Sequence, residues 1–214
     1  MQQPNQYVLQ RLSEEEQTMA TVNRSAGPSI HQLKVTLMDT APPIWRRFQV
    51  ESDTTLYRLH QILQVVMGWE NYHLYQFTAS GTEYGEPDPD FGVRVRSSRT
   101  ARLSQIAPTR RGKFLYVYDF GDNWGHEILV EKIESPEAGV RYPVCLAGER
   151  ACPPEDCGGV WGYADLLEII RAPHDERHEE MMEWLGGSFD PEHFDLEAIN
   201  RDLRRIRSVL KSRG

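Results

Sequence analysis

The densest set of chemically competent side chains in this sequence lies between positions 119 and 127. Asp119, Asp122, His126 and Glu127 fall within nine residues, at the end of a predicted hairpin. Carboxylates and an imidazole brought together are the groups that bind a divalent metal or serve as acid and base. They also suit a plain turn, because Asp and Asn side chains bond the local backbone and Gly supplies positive φ. The turn is the favoured reading, since metal sites normally take ligands from several segments. Asp119-Phe120-Gly121 imitates a kinase magnesium motif, but the chain has no Gly-rich nucleotide loop and no catalytic-loop signature.

A second constellation joins Cys152 and Cys157 with His174 and His178. The order Cys-x4-Cys-x16-His-x3-His falls within the grammar of zinc sites, so zinc is the cofactor to consider. Two histidines at i and i+4 of a helix face the same way, and Cys145 could replace one ligand. Against a tight zinc knuckle, Pro153, Pro154 and the Glu155-Asp156 pair sit inside the cysteine interval. Free cysteines also pack as small apolar groups.

The third is electrostatic. Arg94, Arg96, Arg99, Arg102, Arg110, Arg111 and Lys113 occur between Gly92 and Lys113 with no acidic residue among them. The C-terminal stretch adds Arg201, Arg204, Arg205, Arg207, Lys211 and Arg213 against Asp202. Arginines on a common face suit phosphate recognition. The alternative is solvated or internally paired charge, with the terminal cations complementing a helix dipole. The net charge of −8 repels nucleic acid and anionic membranes at long range, which leaves only local patches for such partners.

These groups need a scaffold, and 214 residues that are 39% hydrophobic can bury a sizeable core. Residues 1–29 read as a flexible tail without the basic start and apolar run of a secretory signal. No stretch has the roughly 18 apolar residues of a membrane span. The odd, clustered set of three cysteines fits a reducing cytoplasm better than a disulfide framework. Ordered structure is expected from Ile30, and period-two alternation predicts strands at Leu33 to Leu37, Ile44 to Val50, His73 to Ala79, Phe114 to Asp119 and His126 to Ile133. Asp39 to Pro43 is a turn and Ser80 to Gly92 an irregular loop. Thr54 to Met67 is a helix capped by Asp53 or Thr54 and ended by Gly68.

Beyond Gly139, Tyr142 to Gly159 reads as irregular. Helices are predicted from Tyr163 to Arg171, Asp175 to Leu185 and Leu196 to Leu210. The stripe Leu196, Ile199, Leu203, Ile206 and Leu210 needs a partner surface. The expected fold is therefore α+β: a mixed or mainly antiparallel sheet with one crossing helix, β-grasp-like, and a C-terminal helical region packed on the same core across 30–214. The five tryptophans stand at element edges, where such residues close the corners of a core.

Several blocks occur in a fixed order: Pro43-Ile44-Trp45-Arg46-Arg47, Leu59-His60 through Gly68-Trp69, Tyr118 through His126, and Cys152 through Gly159 with Gly162-Tyr163. From about Ile30 to Leu210 the chain resembles the plasmid pRiA4b ORF-3-like family. The resemblance implies a small α+β protein without an established activity. Some members are labelled resolvases or transposon passengers, or are fused to a DNA-binding region. The expectation is a non-enzymatic interaction or accessory module of mobile elements or regulation, with a protein partner. Two alternatives stay open: a metal-dependent hydrolase or nuclease on the 119–127 turn, and nucleic-acid binding through the basic segments.

Overall fold

The alternation of apolar and polar residues resolves into one eight-stranded sheet. The computed structural model describes residues 28–88, 90 and 93–211, with side chains as far as 206. The expected tail as far as residue 27, Arg213, and the side chains of Arg207 and Lys211 lie outside what is described. The strands are β1 Ile30–Leu37, β2 Trp45–Glu51, β3 Tyr75–Ala79, β4 Thr82–Gly85, β5 Arg96–Ser97, β6 Lys113–Tyr118, β7 Trp124–Glu134 and β8 Val144–Glu149. Their order is β5-β4-β3-β6-β7-β1-β2-β8, antiparallel except for the β4–β5 pair. The helices are α1 Leu56–Met67, α2 Leu103–Ile106, α3 Gly159–Arg171, α4 His178–Trp184 and α5 Leu196–Lys211. The fold is α+β with a mixed, mainly antiparallel sheet.

Each inner strand sends alternate residues into the core: Leu33, Val35 and Leu37 from β1, Phe114, Tyr116 and Tyr118 from β6, Trp124, His126, Ile128 and Val130 from β7. The other face is polar and carries ion pairs such as Arg47–Glu131 at 2.6 Å and Lys113–Glu127 at 2.9 Å. Helix α1 buries Leu56, Leu59, Ile62, Leu63, Val66 and Met67 in the same core. Its N-cap is Thr55, whose hydroxyl accepts the Arg58 N–H at 3.2 Å, and not Asp53 or Thr54. The Thr54 carbonyl is instead committed to the Leu103 N–H at 2.9 Å. Gly68 ends the helix at φ 95°, a left-handed value that glycine adopts without strain.

Tyr163, Leu166, Leu167 and Leu203 belong to the same apolar cluster as the strand residues, so the C-terminal helices complete the sheet's core. Two strands lie where irregular loops were expected. β4 forms a hairpin with β3, and β8 adds an edge beside β2. The edge is sealed by Asn200 of α5. Its amide donates to the Cys145 carbonyl and accepts the Cys145 N–H, both at 2.9 Å.

Candidate functional site

Strand register lays an aromatic floor at one end of the sheet. Tyr75 pairs with Tyr118 and Tyr118 with Trp124, while Phe77 pairs with Tyr116 and Tyr116 with His126. Trp69, just past the end of α1, packs over this floor 5.5 Å from the Tyr118 ring and 5.6 Å from Trp124. Three loops meet above it: 68–74 after α1, 119–123 between β6 and β7, and 150–158 between β8 and α3.

A buried relay shapes the first loop. Asn71 Oδ1 lies 2.6 Å from Nε2 of His60 and can only accept, so that nitrogen carries the proton. His60 Nδ1 then accepts from the Tyr116 hydroxyl at 2.8 Å, which accepts from Gln64 Nε2 at 2.9 Å. Burial pushes His60 down to about 4, which keeps this neutral tautomer in place. His60 also stacks on Tyr75 with ring centroids 3.6 Å apart. The relay holds Asn71 at φ 63°, and His73 follows two residues later.

In the second loop, Asp119 takes φ 56° and accepts the Gly121 N–H at 2.9 Å. Its neighbour Asp122 accepts the Gly158 N–H at 3.1 Å, which ties the second loop to the third. Gly159 is required here. It sits at φ 69°, and a Cβ would come within 2.5 Å of the Asp122 carbonyl oxygen. Glu155 binds the third loop to the first, accepting the Glu70 N–H at 2.7 Å and lying 3.1 Å from the Tyr118 hydroxyl.

These constraints place His73 among carboxylates. Its Nδ1 is 3.6 Å from Asp119 Oδ1, and its Nε2 is 3.5 Å from Glu155 Oε2 and 3.1 Å from Asp156 Oδ1. Ligand atoms of His73, Asp119 and Asp156 lie within 4.8 Å of one another, the one such group of three among the described residues. One nitrogen and two carboxylates from three loops form a set that suits a divalent ion, with Glu155 beside it.

The residues singled out from the sequence fare differently. Of the acidic-turn set, Asp119 reaches the cluster and Asp122 braces it. The β7 pleat sends His126 into the core, fully buried, with Nδ1 3.3 Å from the Tyr116 carbonyl and its basicity lowered to about 4 by burial. Glu127 points to the opposite face and pairs with Lys113. The four are not brought together.

Cys152, Cys157, His174 and His178 do not form a group either, among the described residues. Helix α4 begins at His178, so the two histidines do not share a helical face, and His178 Nδ1 bonds the Ile169 carbonyl at 2.9 Å. Burial raises both thiols to about 12, which disfavours the thiolate that zinc needs.

The basic loop is dispersed. Arg99 pairs with Glu86 at 2.8 Å, Arg102 donates to the Asp53 carbonyl at 2.7 Å and Arg110 to the Glu131 carbonyl at 3.0 Å. Arg94 and Arg96 are exposed at the β5 edge. Arg111, next to β6, is three strand positions away, a lateral separation of roughly 14 Å. Trp69 and Trp124 are core residues, whereas Trp161 is 88% exposed and Trp184 is 48% exposed.

Comparison with known proteins sets these three loops within one matched region. The pattern of the plasmid pRiA4b ORF-3-like proteins matches residues 29–198. The chain belongs to that family. A relative from Sinorhizobium fredii (strain NBRC 101917 / NGR234), the uncharacterized protein y4hQ, is 39% identical over 175 residues, covering 81% of this chain and 90% of that protein. The crystal structure of MM3350, a protein of unknown function from Methanosarcina mazei Go1, superposes with a TM-score of 0.73 at 40% identity. It covers 79% of this chain and 96% of that one. Three of the sequence blocks that carry the family resemblance supply or flank the three loops of the cluster. His73 and Asp156 were missed as companions of Asp119 because the three come from different blocks or their flanks. Their proximity to the matched Trp69, Cys157 and Gly158 was the available signal.

Proposed function

We propose that this chain is a metal-binding interaction module, with a divalent ion held by His73, Asp119 and Asp156. The observation that carries this reading is the convergence of those three ligand atoms from three separate loops within 4.8 Å. An imidazole among carboxylates favours a borderline ion such as zinc over magnesium or calcium, which prefer oxygen alone, and manganese, a harder ion, suits the two carboxylates. A binding role is favoured over hydrolysis because the groups that would assist a metal-bound water are otherwise engaged. Glu155 is held by the Glu70 N–H and faces the Tyr118 hydroxyl, and His126 is sealed in the core. An accessory role on mobile DNA is supported only by the plasmid name of the family. Among the described residues no helix is long and apolar enough to cross a membrane.

The test is calorimetric titration of tag-free protein with zinc and with manganese. About one ion per chain should bind. Asp119→Asn and Asp156→Asn should each weaken binding by about tenfold or more. Absence of binding by both ions overturns the reading.

A further inference from the structure

Exposed apolar side chains concentrate around the cluster. Of the nine large apolar side chains most exposed among the described residues, six gather here. Tyr72 and Leu74, 74% and 65% exposed, flank His73. Phe120, 54% exposed, follows Asp119 and shares with Leu74 and Val93 a cavity of about 400 Å³. Trp161 stands on the first turn of α3, two residues after the glycine that packs on Asp122. Trp184 closes a second cavity of about 300 Å³, which Asp156 also lines. Exposed apolar patches concentrated in this way mark interaction sites.

The three loops are predominantly acidic: their one arginine, Arg150, is buried and pairs with Glu192, while Arg99 and Arg177 are paired with Glu86 and Asp165 of the cavity walls. Glu70, Asp119, Asp122, Glu155 and Asp156 belong to the three loops, and neither cavity is lined by a lysine or arginine among the described residues. A divalent ion offsets two of these five carboxylates and leaves the surface acidic. Aromatic faces beside carboxylates favour cationic groups, through both the ring quadrupole and direct pairing. We propose that this end of the sheet docks a polypeptide segment in which Lys or Arg alternates with apolar residues. The apolar side chains enter the two cavities, and the cations lie over Tyr72, Phe120 and Trp161 against the carboxylates. The proposal deepens the interaction-module reading by naming the partner's chemistry, and it does not require the ion.

The probe is a labelled peptide alternating Lys and Arg with Leu and Phe, compared with a counterpart carrying Glu at each basic position. Fluorescence anisotropy should show binding of the basic peptide and none of the acidic one. Trp161→Ala and Phe120→Ala alter no charge and involve exposed side chains, and each should weaken binding by about tenfold. Equal binding of both peptides overturns the proposal, as does no binding of either. Binding that survives both variants would be unspecific attraction to an acidic protein and overturns it too. So does sedimentation showing a dimer that Trp161→Ala abolishes, because a second copy would then be the occupant. Metal titration of the same samples separates the two readings: ion binding without peptide binding removes only the partner, and the converse removes only the ion.

Discussion

The hydroxyl of Tyr118 lies 3.1 Å from Oε1 of Glu155 while accepting the backbone N–H of Tyr72 at 3.0 Å. Burial, and then the charge of Glu155, push the phenol up to about 12, so it keeps its proton at neutral pH and donates it to the carboxylate. One atom thus joins β6, the loop after α1 and the loop before α3. The position of His73 depends on it.

Tyr118→Phe should therefore do two things. It leaves the Tyr72 N–H without its acceptor and removes a donor to Glu155, at a cost of about 1–3 kcal/mol in a denaturant titration. It should also loosen the seating of His73 and lower metal affinity, measured by calorimetry on the folded variant. A stability loss with unchanged metal affinity would show that the tyrosine acts on the scaffold alone.

The contact between Gly159 and Asp122 makes a sharper forecast. At Gly162 a Cβ would overlap the Cys157 carbonyl oxygen, which is backbone and cannot swing aside. Gly162→Ala should destabilise the fold by more than about 3 kcal/mol. Gly159→Ala adds a Cβ at 2.5 Å from the Asp122 oxygen in a left-handed conformation. It should push the third loop away from the second, separating Asp156 from Asp119, and reduce metal affinity more than it reduces the thermal midpoint.

How much of this could be read from the sequence depended on whether the cause was local. The β1–β2 hairpin, α1 with Gly68 at its end, the β6–β7 hairpin and the stripe on α5 follow from periodicity and capping, which act over a few residues. β8 did not, because Pro143 and the glycines around it hide the strand. It is held by β2 on one side and by Asn200, 55 residues away, on the other. The site divides in the same way. Asp119 was legible as part of an acidic turn, but the strand pleat sends His126 and Glu127 to opposite faces. The true companions of Asp119, His73 and Asp156, arrive from loops that only the tertiary fold brings close.

Core histidines contribute to the loss of stability in acid: burial lowers His31, and it lowers His60 and His126 further. An unfolded histidine titrates near 6.5, whereas burial brings His60 and His126 down to about 4. Above the unfolded value both rings are neutral in either state and contribute no pH dependence. As pH falls from about 6.5 towards 4 the unfolded chain takes up protons that the folded core refuses, so stability declines, by up to roughly 3 kcal/mol per ring. Urea midpoints at about pH 7 and about pH 4.5 measure this. His126→Phe, which keeps the ring and removes the proton site, should flatten the decline. An unchanged slope in that variant would remove His126 as a cause.

A last prediction concerns Arg46, only 3% exposed, whose hydrogen-bond partners among the described residues are carbonyl oxygens and not carboxylates. Its Nε donates to Val66 at 2.7 Å, at the C-terminal end of α1 where the helix dipole is negative. One terminal nitrogen donates to Trp45 at 2.9 Å and to Glu149 at 2.8 Å, and the guanidinium lies 5.0 Å from the Phe194 ring centroid. The fork fastens the end of α1 to the end of β8, from which the first and third loops of the site depart. Arg46→Met keeps the apolar stem but strands these carbonyls, and should cost about 2–4 kcal/mol. Arg46→Lys keeps the charge but cannot span the acceptors, so its loss should fall between wild type and Arg46→Met. Both variants should weaken metal binding in the same order, because the two loops would no longer leave a common anchor. If Arg46→Met were as stable as wild type, as happens when a buried charge is replaced by a well-packed apolar side chain, the clamp would be dispensable and the loops would owe their positions to Trp69 and Glu155.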